Sequence, residues 1–421
     1  MEDSGQRVLH FQKALYVLSK IAFRHLMSCL PDCGCPKSVQ ETTIECDITH
    51  DETTYRPLSE SIPLLPKDTT MITYEADPSQ YALLAVIGKG LGDAATISVA
   101  QHIPTGNKVA IRRIDLDSCE EDVTYIQKEI LVTRQLRHEN LLSFYCSFVR
   151  HNEVWAVMPL MTYRSTKDIM YSHFPDGLPE VAIGLILKDI LSALDYVHKR
   201  GYIHRSIKAS HILISSAGRA LLSGLRYSCN VINNGKWQRV IHSFPSDSVS
   251  NLNWLSPELL EQNLMGYNSK SDIYSMGITV CELANGIVPF AEMLPTQMLL
   301  EKLQGYHPRP LDSHTFFEEE ETQSESQLAD IYRTRQFSES LHMFTNLCLQ
   351  KDPYQRPTAA QLSRHSFIKQ CRKSNFGLPD ILAMVTPVSD NVSLSKDKED
   401  EDSVAMEHKF QDMSLDEPWN F

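Results

Sequence analysis

His204-Arg-Ser-Ile-Lys-Ala-Ser-His-Ile-Leu-Ile-Ser215 is the stretch of sequence that decides the fold. It combines a His-Arg pair, a lysine and a second histidine at fixed offsets, and an apolar run typical of a buried strand. The stretch lies within a window from Tyr196 to Ser246 that contains no Asp or Glu, although 53 of the 421 residues are acidic. At that density about six acidic residues would be expected by chance. The window therefore offers no side-chain carboxylate for catalysis or for metal binding.

Several short motifs on either side of this stretch follow one another in the order found in protein kinases, so the chain resembles the protein-kinase fold. Asp272 takes the position that caps the catalytic loop, and Arg356 takes that of the buried partner of Glu258. The other matching segments are Val109-Ala-Ile-Arg112, Glu129, Val157-Met-Pro-Leu-Met161, Ser223-Gly-Leu-Arg226 and Ser256-Pro-Glu258. Together they predict an α+β, bilobal protein-kinase-like fold, with a small β-rich N-lobe, a larger helical C-lobe, and flexible N- and C-terminal extensions.

The composition predicts three parts of the chain. Residues 1–77 form an N-terminal extension with one amphipathic helix and otherwise no predicted order, 78–371 form the kinase-like domain, and 372–421 form an acidic flexible tail. Apolar alternation and helical periodicity define the elements of the domain. We expect strands over 81–88, 96–102, 108–114, 141–148 and 154–159, and helices over 121–137, 181–199 and 271–285.

The sequence also predicts the role of the N-terminal helix, the classes of partner that are excluded, and the cellular location. The amphipathic helix, near residues 8–26, could touch a membrane or lead to a palmitoylated cysteine cluster, but base rates favour a docked or free helix. No apolar run reaches membrane-spanning length, and the net charge of −13 argues against a nucleic-acid-binding surface. Ten scattered cysteines and no signal peptide predict reduced thiols and a cytoplasmic location, with possible nuclear shuttling.

The chemistry of phosphoryl transfer is missing at three positions. Ser206 stands where kinases carry the aspartate that accepts the substrate hydroxyl's proton, and loss of such a base typically costs ~10²–10⁴-fold in rate. Gly224 and His211 stand where kinases carry the two magnesium ligands. We therefore predict a degenerate catalytic site, no enzymatic activity and no bound magnesium.

Nucleotide binding does not depend on the three replaced residues alone. The residues at the positions that line the nucleotide pocket of protein kinases still predict such a pocket. Arg112 can pair with a phosphate and with Glu129, and three further cations are placed to face the phosphates. We hypothesise that these cations replace magnesium, so that ATP binds without being hydrolysed. The alternative is a collapsed pocket whose arginines pair with Glu129 or other acids. The predicted nucleotide-binding residues are Ile87, Gly88, Gly90, Ile97, Ala110, Arg112, Glu129, Met158, Met161, Lys208, His211, Leu213 and Arg226.

Four segments make the chain resemble the STRAD family, pseudokinase adaptors of the germinal-centre kinase branch. They are 204–215, Leu222-Ser-Gly-Leu-Arg226, Trp254-Leu-Ser-Pro-Glu258 and Gly266-Tyr-Asn-Ser-Lys-Ser-Asp-Ile-Tyr274. Gly-Leu-Arg in place of Asp-Phe-Gly is the most unusual of these features. The resemblance implies an inactive adaptor that binds liver kinase B and, with an armadillo-like helical-repeat scaffold, holds it active and cytoplasmic in a heterotrimer. It also implies an active-like, ATP-occupied conformation that engages the client through the large lobe and activation segment.

Two partner surfaces follow from this resemblance. The family's scaffold-binding tail ends Trp-Glu-Phe, and this chain ends Trp419-Asn420-Phe421, so Trp419 and Phe421 are predicted aromatic anchors. The alternative is two stray aromatics on a frayed terminus. The segment 227–253 is the candidate client contact, with Trp237, Phe244 and Trp254 as anchors, although core packing is the better interpretation of Trp254.

Two other functions compete with the adaptor. One is a weakly active serine/threonine kinase with unorthodox metal binding, which needs a carboxylate from outside the loop, and Asp93 is the one candidate. The other is a nucleotide sensor without a kinase client. Activity of a client kinase, measured with an inactive client as control, separates these functions.

Overall fold

The structure is a computed structural model that describes residues 73–388, apart from 92–93, 120–122, 244–248, 316–326 and 374–375. The predicted N-terminal helix and the tail anchors Trp419 and Phe421 lie outside the described residues, as do Asp93 and Phe244. The three-part division of the chain stays a prediction.

The N-lobe is built on one antiparallel sheet with the strand order β1-β2-β3-β5-β4. Its strands are β1 (Tyr81–Gly90), β2 (Ala95–His102), β3 (Lys108–Asp115), β4 (Cys146–Arg150) and β5 (Glu153–Pro159). Successive side chains of a strand point to opposite faces of the sheet, and the continuous buried runs 109–111 of β3 and 154–158 of β5 show that both faces of these strands are covered. The pairing places Arg112 of β3 between Ile97 and Ala156 of its neighbours, in the middle of the sheet.

One helix completes the small lobe. Helix α1 (Val123–Gln135) buries Val123, Ile126 and Ile130, which are spaced three and four residues apart and pack in one cluster with apolar side chains of the sheet. Glu129 is also buried on this helix, next to that apolar stripe. A buried carboxylate requires a partner, and the partner defines the first part of the site.

The C-lobe is mostly helical. Its helices are α2 (Thr166–His173), α3 (Glu180–Lys199), α4 (Pro257–Leu260), α5 (Lys270–Asn285), α6 (Pro295–Gln304), α7 (Gln327–Thr334), α8 (Glu339–Cys348), α9 (Ala359–Leu362), α10 (Ser366–Cys371) and α11 (Leu378–Ile381). Short strands lie between them: β6 (Tyr202–Ile203), β7 (Ile212–Ile214), β8 (Ala220–Leu222), β9 (Cys229–Asn230), β10 (Ile232–Asn233) and β11 (Lys236–Trp237). Every residue of α5 from Ser271 to Asn285 is buried, which makes it the central helix of the lobe.

Most predicted elements are confirmed, and one is wrong. The strands over 81–88, 96–102, 108–114 and 154–159 and the helices over 121–137, 181–199 and 271–285 agree with the observed ranges to within about two residues. The strand predicted over 141–148 instead begins at Cys146. Leu141 and Leu142 leave the sheet because they pair with Leu222 of β8, which joins the two lobes.

The observed architecture confirms the bilobal α+β prediction. Among the residues that the structure describes, no helix has the length and apolar character needed to cross a membrane. The same part of the chain contains no group of three or more His, Cys, Asp or Glu side chains arranged to hold a metal ion.

Candidate functional site

A bidentate ion pair links the sheet to helix α1. Arg112 Nη1 lies 3.2 Å from Glu129 Oε1, and Nη2 lies 2.8 Å from Oε2. The two side chains are 18% and 8% exposed, so the pair is shielded from water. The remaining guanidinium nitrogen, Nε, is buried without a hydrogen-bond partner in the structure. The two residues are therefore in contact, as both the nucleotide-pocket hypothesis and the collapsed-pocket alternative expect, and one buried donor atom of Arg112 is unsatisfied.

Four of the residues predicted to line the adenine slot come together. Ala110 of β3 is opposite Met158 of β5, and both belong to one apolar cluster with Met161 and Leu213. Ala110, Met158 and Met161 are 5–8% exposed, so this cluster is almost completely buried.

The other predicted lining residues belong to the glycine-rich strand. Gly88 is paired with Ile97, and Gly90 is paired with Ala95. Ile87 and Ile97 are half-buried and lie outside the apolar cluster of the adenine slot. A Cβ atom at Gly88 would be 3.7 Å from Ile97 Cδ1, so this glycine is not required by close packing.

One buried carboxylate, Asp272, organises the loop that begins at His204. Asp272 accepts hydrogen bonds of 2.8 Å from the backbone nitrogens of His204 and Arg205, and of 2.8 Å from His198 Nε2. Burial opposes its charge, but the bonds from His198 and His204 dominate and hold the pKa of Asp272 below its usual range. The carboxylate is therefore ionised and fixes the loop backbone, as the sequence predicted.

The centre of the loop contains an interlocked pair. Gly224 has φ +85°, and a Cβ atom built on it would lie 2.5 Å from Nδ1 of His211 and 2.7 Å from its Cγ. Real Cβ atoms essentially never approach other atoms so closely. The imidazole of His211 therefore occupies the space that a side chain at position 224 would need, and the two expected replacements of metal ligands are sterically dependent on each other.

Hydrogen bonds hold this imidazole in place. His211 Nδ1 lies 2.8 Å from the carbonyl oxygen of Ser206 and 3.1 Å from its hydroxyl, which donates to Asn251 Oδ1 at 3.1 Å. Burial, with a smaller contribution from the charge of Lys208, lowers the pKa of His211 to about 3. The prediction that His211 acts as a cation is therefore corrected: in this structure it is neutral at physiological pH.

Lys208 contacts the activation segment. Its ammonium donates to the carbonyl oxygen of Ser250 at 3.0 Å and lies 5.3 Å from the centroid of the Trp254 ring. Burial lowers the pKa of Lys208 to about 8, so it remains mostly charged near pH 7. The Arg226 guanidinium lies 4.9 Å from the centroid of Tyr227. A role of either cation in nucleotide binding stays a prediction.

Arg205 is an organising residue that the sequence analysis missed. It is 5% exposed and donates from Nε to the carbonyl oxygen of Tyr227 at 2.5 Å, and from Nη1 to Tyr267 Oη at 2.9 Å and Ser243 O at 3.2 Å. It also has φ +61°, an uncommon conformation for a side-chain-bearing residue. The His-Arg pair was the available signal, but its carbonyl partners cannot be deduced from one sequence.

The segment predicted to contact a client has both buried and exposed aromatics. Trp254 donates from Nε1 to Glu282 at 2.8 Å, and Glu282 also accepts from the backbone nitrogen of Ala209. This confirms that Trp254 packs on the lobe. Trp237, in contrast, is 58% exposed on β11, as a contact residue would be.

A second buried ion pair anchors the end of that segment. Arg356 Nη1 lies 2.7 Å from Glu258 Oε1, and Nη2 lies 2.9 Å from Oε2. Arg356 is 1% exposed and also donates to the carbonyl oxygens of Gln350 and Lys351. The predicted partnership of these two residues is confirmed.

Comparisons with known proteins agree with this geometry. The protein kinase domain family matches residues 81–368. STE20-related kinase adapter protein alpha of Homo sapiens is 44% identical over 387 residues, covering 86% of this chain and 89% of the relative. The Bos taurus protein of the same name is 47% identical over 333 residues, covering 73% and 89%. STE20-related kinase adapter protein beta of Homo sapiens is 38% identical over 341 residues, covering 75% and 81%.

Proposed function

The chain belongs to the STE20-related kinase adapter (STRAD) family, and from that premise we propose that it is a catalytically inactive adaptor of a client protein kinase. The client is of the liver kinase B type, and a helical-repeat scaffold completes the complex. The observation that carries the proposal is the contrast within the site. The ion pair of Arg112 with Glu129 and the bonds of Asp272 support an active-like shape, while His211 fills the space beside Gly224.

The proposed inactivity follows from the groups at the centre. A kinase needs a carboxylate near the substrate hydroxyl, whereas Ser206 is 2% exposed and its hydroxyl is bonded to Asn251. Magnesium needs hard oxygen ligands, and a neutral imidazole packed against a glycine is a poor substitute. Loss of the base alone would cost ~10²–10⁴-fold in rate.

ATP is the proposed nucleotide, bound without magnesium. The apolar cluster of Ala110, Met158, Met161 and Leu213 would contact the adenine ring, and the guanidinium of Arg112, whose side chain is 18% exposed, would offer N–H donors to a phosphate oxygen. Bound ATP would supply negative charge to the basic centre and bridge the two lobes. Since His211 is neutral and Arg112 is already paired with Glu129, Arg226 would supply most of the positive charge, with Lys208 requiring rearrangement from Ser250.

The proposed mechanism of activation is a shift of population. An adaptor that binds the active form of its client more tightly than the inactive form shifts that equilibrium by its differential affinity. A difference of ~3 kcal/mol corresponds to about a hundredfold change. The exposed Trp237 and the fixed frame around Arg205 and Asp272 support a rigid docking surface on the large lobe.

The experiment is the activity of liver kinase B co-purified with this chain and the scaffold. We expect strong activation with the active client and no phosphorylation with a catalytically inactive client. Phosphorylation that persists with the inactive client would favour the second candidate, a weakly active kinase. That candidate depends on Asp93, which the structure does not describe.

A second measurement tests nucleotide binding separately from client activation. A thermal-shift titration with ATP in EDTA is expected to raise the melting temperature of this chain. Arg112→Met, which removes the guanidinium donors, is expected to abolish the shift, whereas the exposed Arg364→Met is the matched control and should retain it. No response of the wild-type chain to ATP would rule out the nucleotide part of the proposal.

A further inference from the structure

Two adjoining cavities lie on the C-lobe, away from the nucleotide cleft. The larger, of about 480 Å³, lies against residues 354–365, and the smaller, of about 260 Å³, lies between the end of α3 and the β10–β11 hairpin. Lys270, the first residue of α5, lines both. We call the two cavities together the basal groove. The two cavities adjoin at Lys270.

The charge of the basal groove is one-sided. None of the residues that line either cavity is an Asp or Glu, in a chain whose net charge is −13. Arg356 contributes no free charge because Glu258 neutralises it. The ammonium of Lys270 donates to the carbonyl oxygen of Arg356, and the side chain of Arg239 is exposed. Neither Lys270 nor Arg239 forms an ion pair with another described residue. Two cations therefore face the groove without an acidic partner in the described part of the chain.

The surroundings reinforce this charge. Residues 350–373 contain six Lys or Arg and one acid, Asp352. Lys236 is exposed next to Trp237 on β11, which lines the smaller cavity. Burial, and then the charge of Arg356, lower the pKa of Lys270. An anion placed beside Lys270 would relieve that unfavourable field. The local electrostatics thus favour a negatively charged occupant.

Each cavity also has an exposed aromatic. Trp237 is 58% exposed in the lining of the smaller cavity, and Tyr354 is 78% exposed in that of the larger. Aromatic walls beside cations suit a peptide that alternates acidic and apolar side chains. A purely anionic ligand would not use them.

We propose that the basal groove binds the acidic tail of this same chain, residues 389–421. The tail has ten Asp or Glu against three Lys, and its acidic block, Asp397 to Asp402, is followed by the apolar residues Val404, Met406 and Phe410. The last described residue, Val388, donates from its backbone nitrogen to the carbonyl oxygen of Thr162 at the hinge. The block begins nine residues beyond it, a reach of roughly 30 Å for an extended chain, about the length of α3.

The docked tail has a consequence for the fold beneath it. His198 lines the smaller cavity and bonds to Asp272, which holds the catalytic loop. A tail in the smaller cavity would therefore contact a residue that is bonded to the loop's carboxylate, and the tail would be held close to the C-lobe before its last residues meet a partner.

The test is zero-length carbodiimide crosslinking of the full chain, analysed by mass spectrometry. A carbodiimide joins a lysine amine to a carboxylate in direct contact, so we expect bonds from Lys270 or Lys236 to the block 397–402. Lys369, exposed on α10 outside the lining of both cavities, is the internal control and should form at least tenfold fewer. Equal yields at Lys369, or none at Lys270 and Lys236, would overturn the proposal.

Two variants and one mixing experiment sharpen the result. Arg239→Glu combined with Trp237→Ala changes only exposed side chains and should abolish the crosslinks, while Arg364→Glu should leave them intact. Crosslinks that survive the double variant would contradict the assignment. A mixture of isotope-labelled and unlabelled chains tells whether the tail binds its own chain. Predominantly mixed products would mean that a second copy occupies the basal groove, which overturns binding within one chain.

Discussion

The frame of the pseudoactive site and its centre differ in how they are built. The frame consists of two ion pairs, Arg112 with Glu129 and Arg356 with Glu258, and of the carboxylate of Asp272, which accepts hydrogen bonds from the loop backbone. The centre, Ser206, His211 and Gly224, contains no ionised group of its own and is packed closely. The frame supports shape, and the centre is where phosphoryl transfer would occur. The two parts therefore depend on different interactions, charged hydrogen bonds in the frame and close packing in the centre.

Breaking the frame is expected to have the largest effect. Arg356→Met removes the cation but leaves the carboxylate of Glu258 buried at 5% exposure. Removing one partner of a buried ion pair typically costs 3–5 kcal/mol, so we expect a loss of about that size in the free energy of unfolding. Denaturant titration measures it. The exposed Arg364→Met should change the value by less than ~0.5 kcal/mol, and a similar loss there would contradict the comparison.

Rebuilding the centre is expected to have a smaller but diagnostic effect. Gly224→Asp places a Cβ 2.5 Å from the His211 ring, whereas Gly235→Asp has similar φ, +74°, and nothing within 4 Å. We expect Gly224→Asp to lose ~1–3 kcal/mol more than Gly235→Asp, from overpacking. The double variant His211→Asn with Gly224→Asp should recover part of that loss.

The variants Gly224→Asp and His211→Asn and their combination form a double-mutant cycle. Its two measurements are the free energy of unfolding and the magnesium-dependent thermal shift with ATP. The interaction term between positions 211 and 224 should be clearly different from zero, because the side chains compete for one space. Strictly additive effects would show that the imidazole moves away freely, and the interlocked pair would then be incorrect.

One buried lysine, Lys302, makes the stability of the folded chain depend on pH. Lys302 is 1% exposed and donates to the carbonyl oxygens of Asn253 at 2.7 Å and Leu255 at 2.8 Å. Burial lowers its pKa to about 7, against 10.5 in the unfolded chain. Between these values the unfolded chain binds the extra proton, so the contribution of Lys302 to stability rises as pH rises through that window.

Lys302→Met is therefore expected to flatten the pH dependence of the free energy of unfolding between about pH 7 and 10. Lys369→Met, at an exposed position, should leave the slope unchanged. An unaltered slope in Lys302→Met would mean that the buried ammonium keeps an ordinary affinity for its proton.

The sequence predicted the frame better than the centre. Arg112, Glu129, Asp272 and Arg356 occupy motif positions whose partners are also motif positions, so their pairing could be expected from residue order alone. The neutral state of His211 depends on its complete burial. The position of the Arg205 side chain depends on hydrogen bonds to the backbone carbonyl oxygens of Tyr227 and Ser243. The His-Arg pair marks Arg205 in the sequence, but neither the burial of His211 nor the carbonyl partners of Arg205 can be deduced from side-chain identity. The basal groove was also unpredicted, because its lining comes from residues 198 to 365.

The smallest effect should come from the residue that most clearly replaces a catalytic group. Ser206 contributes one hydroxyl, which donates to Asn251 and lies 3.1 Å from His211. Ser206→Ala removes that bond, and we expect a loss of ~1 kcal/mol or less in stability and no loss of client activation. Asn251→Ala should be at least as costly, because it removes an amide that is 1% exposed. Co-purified client activity, compared between the wild-type chain and Ser206→Ala, checks the functional part. A large loss of activation with stability intact would mean that this hydroxyl has a direct role, and the centre could then no longer be separated from the frame.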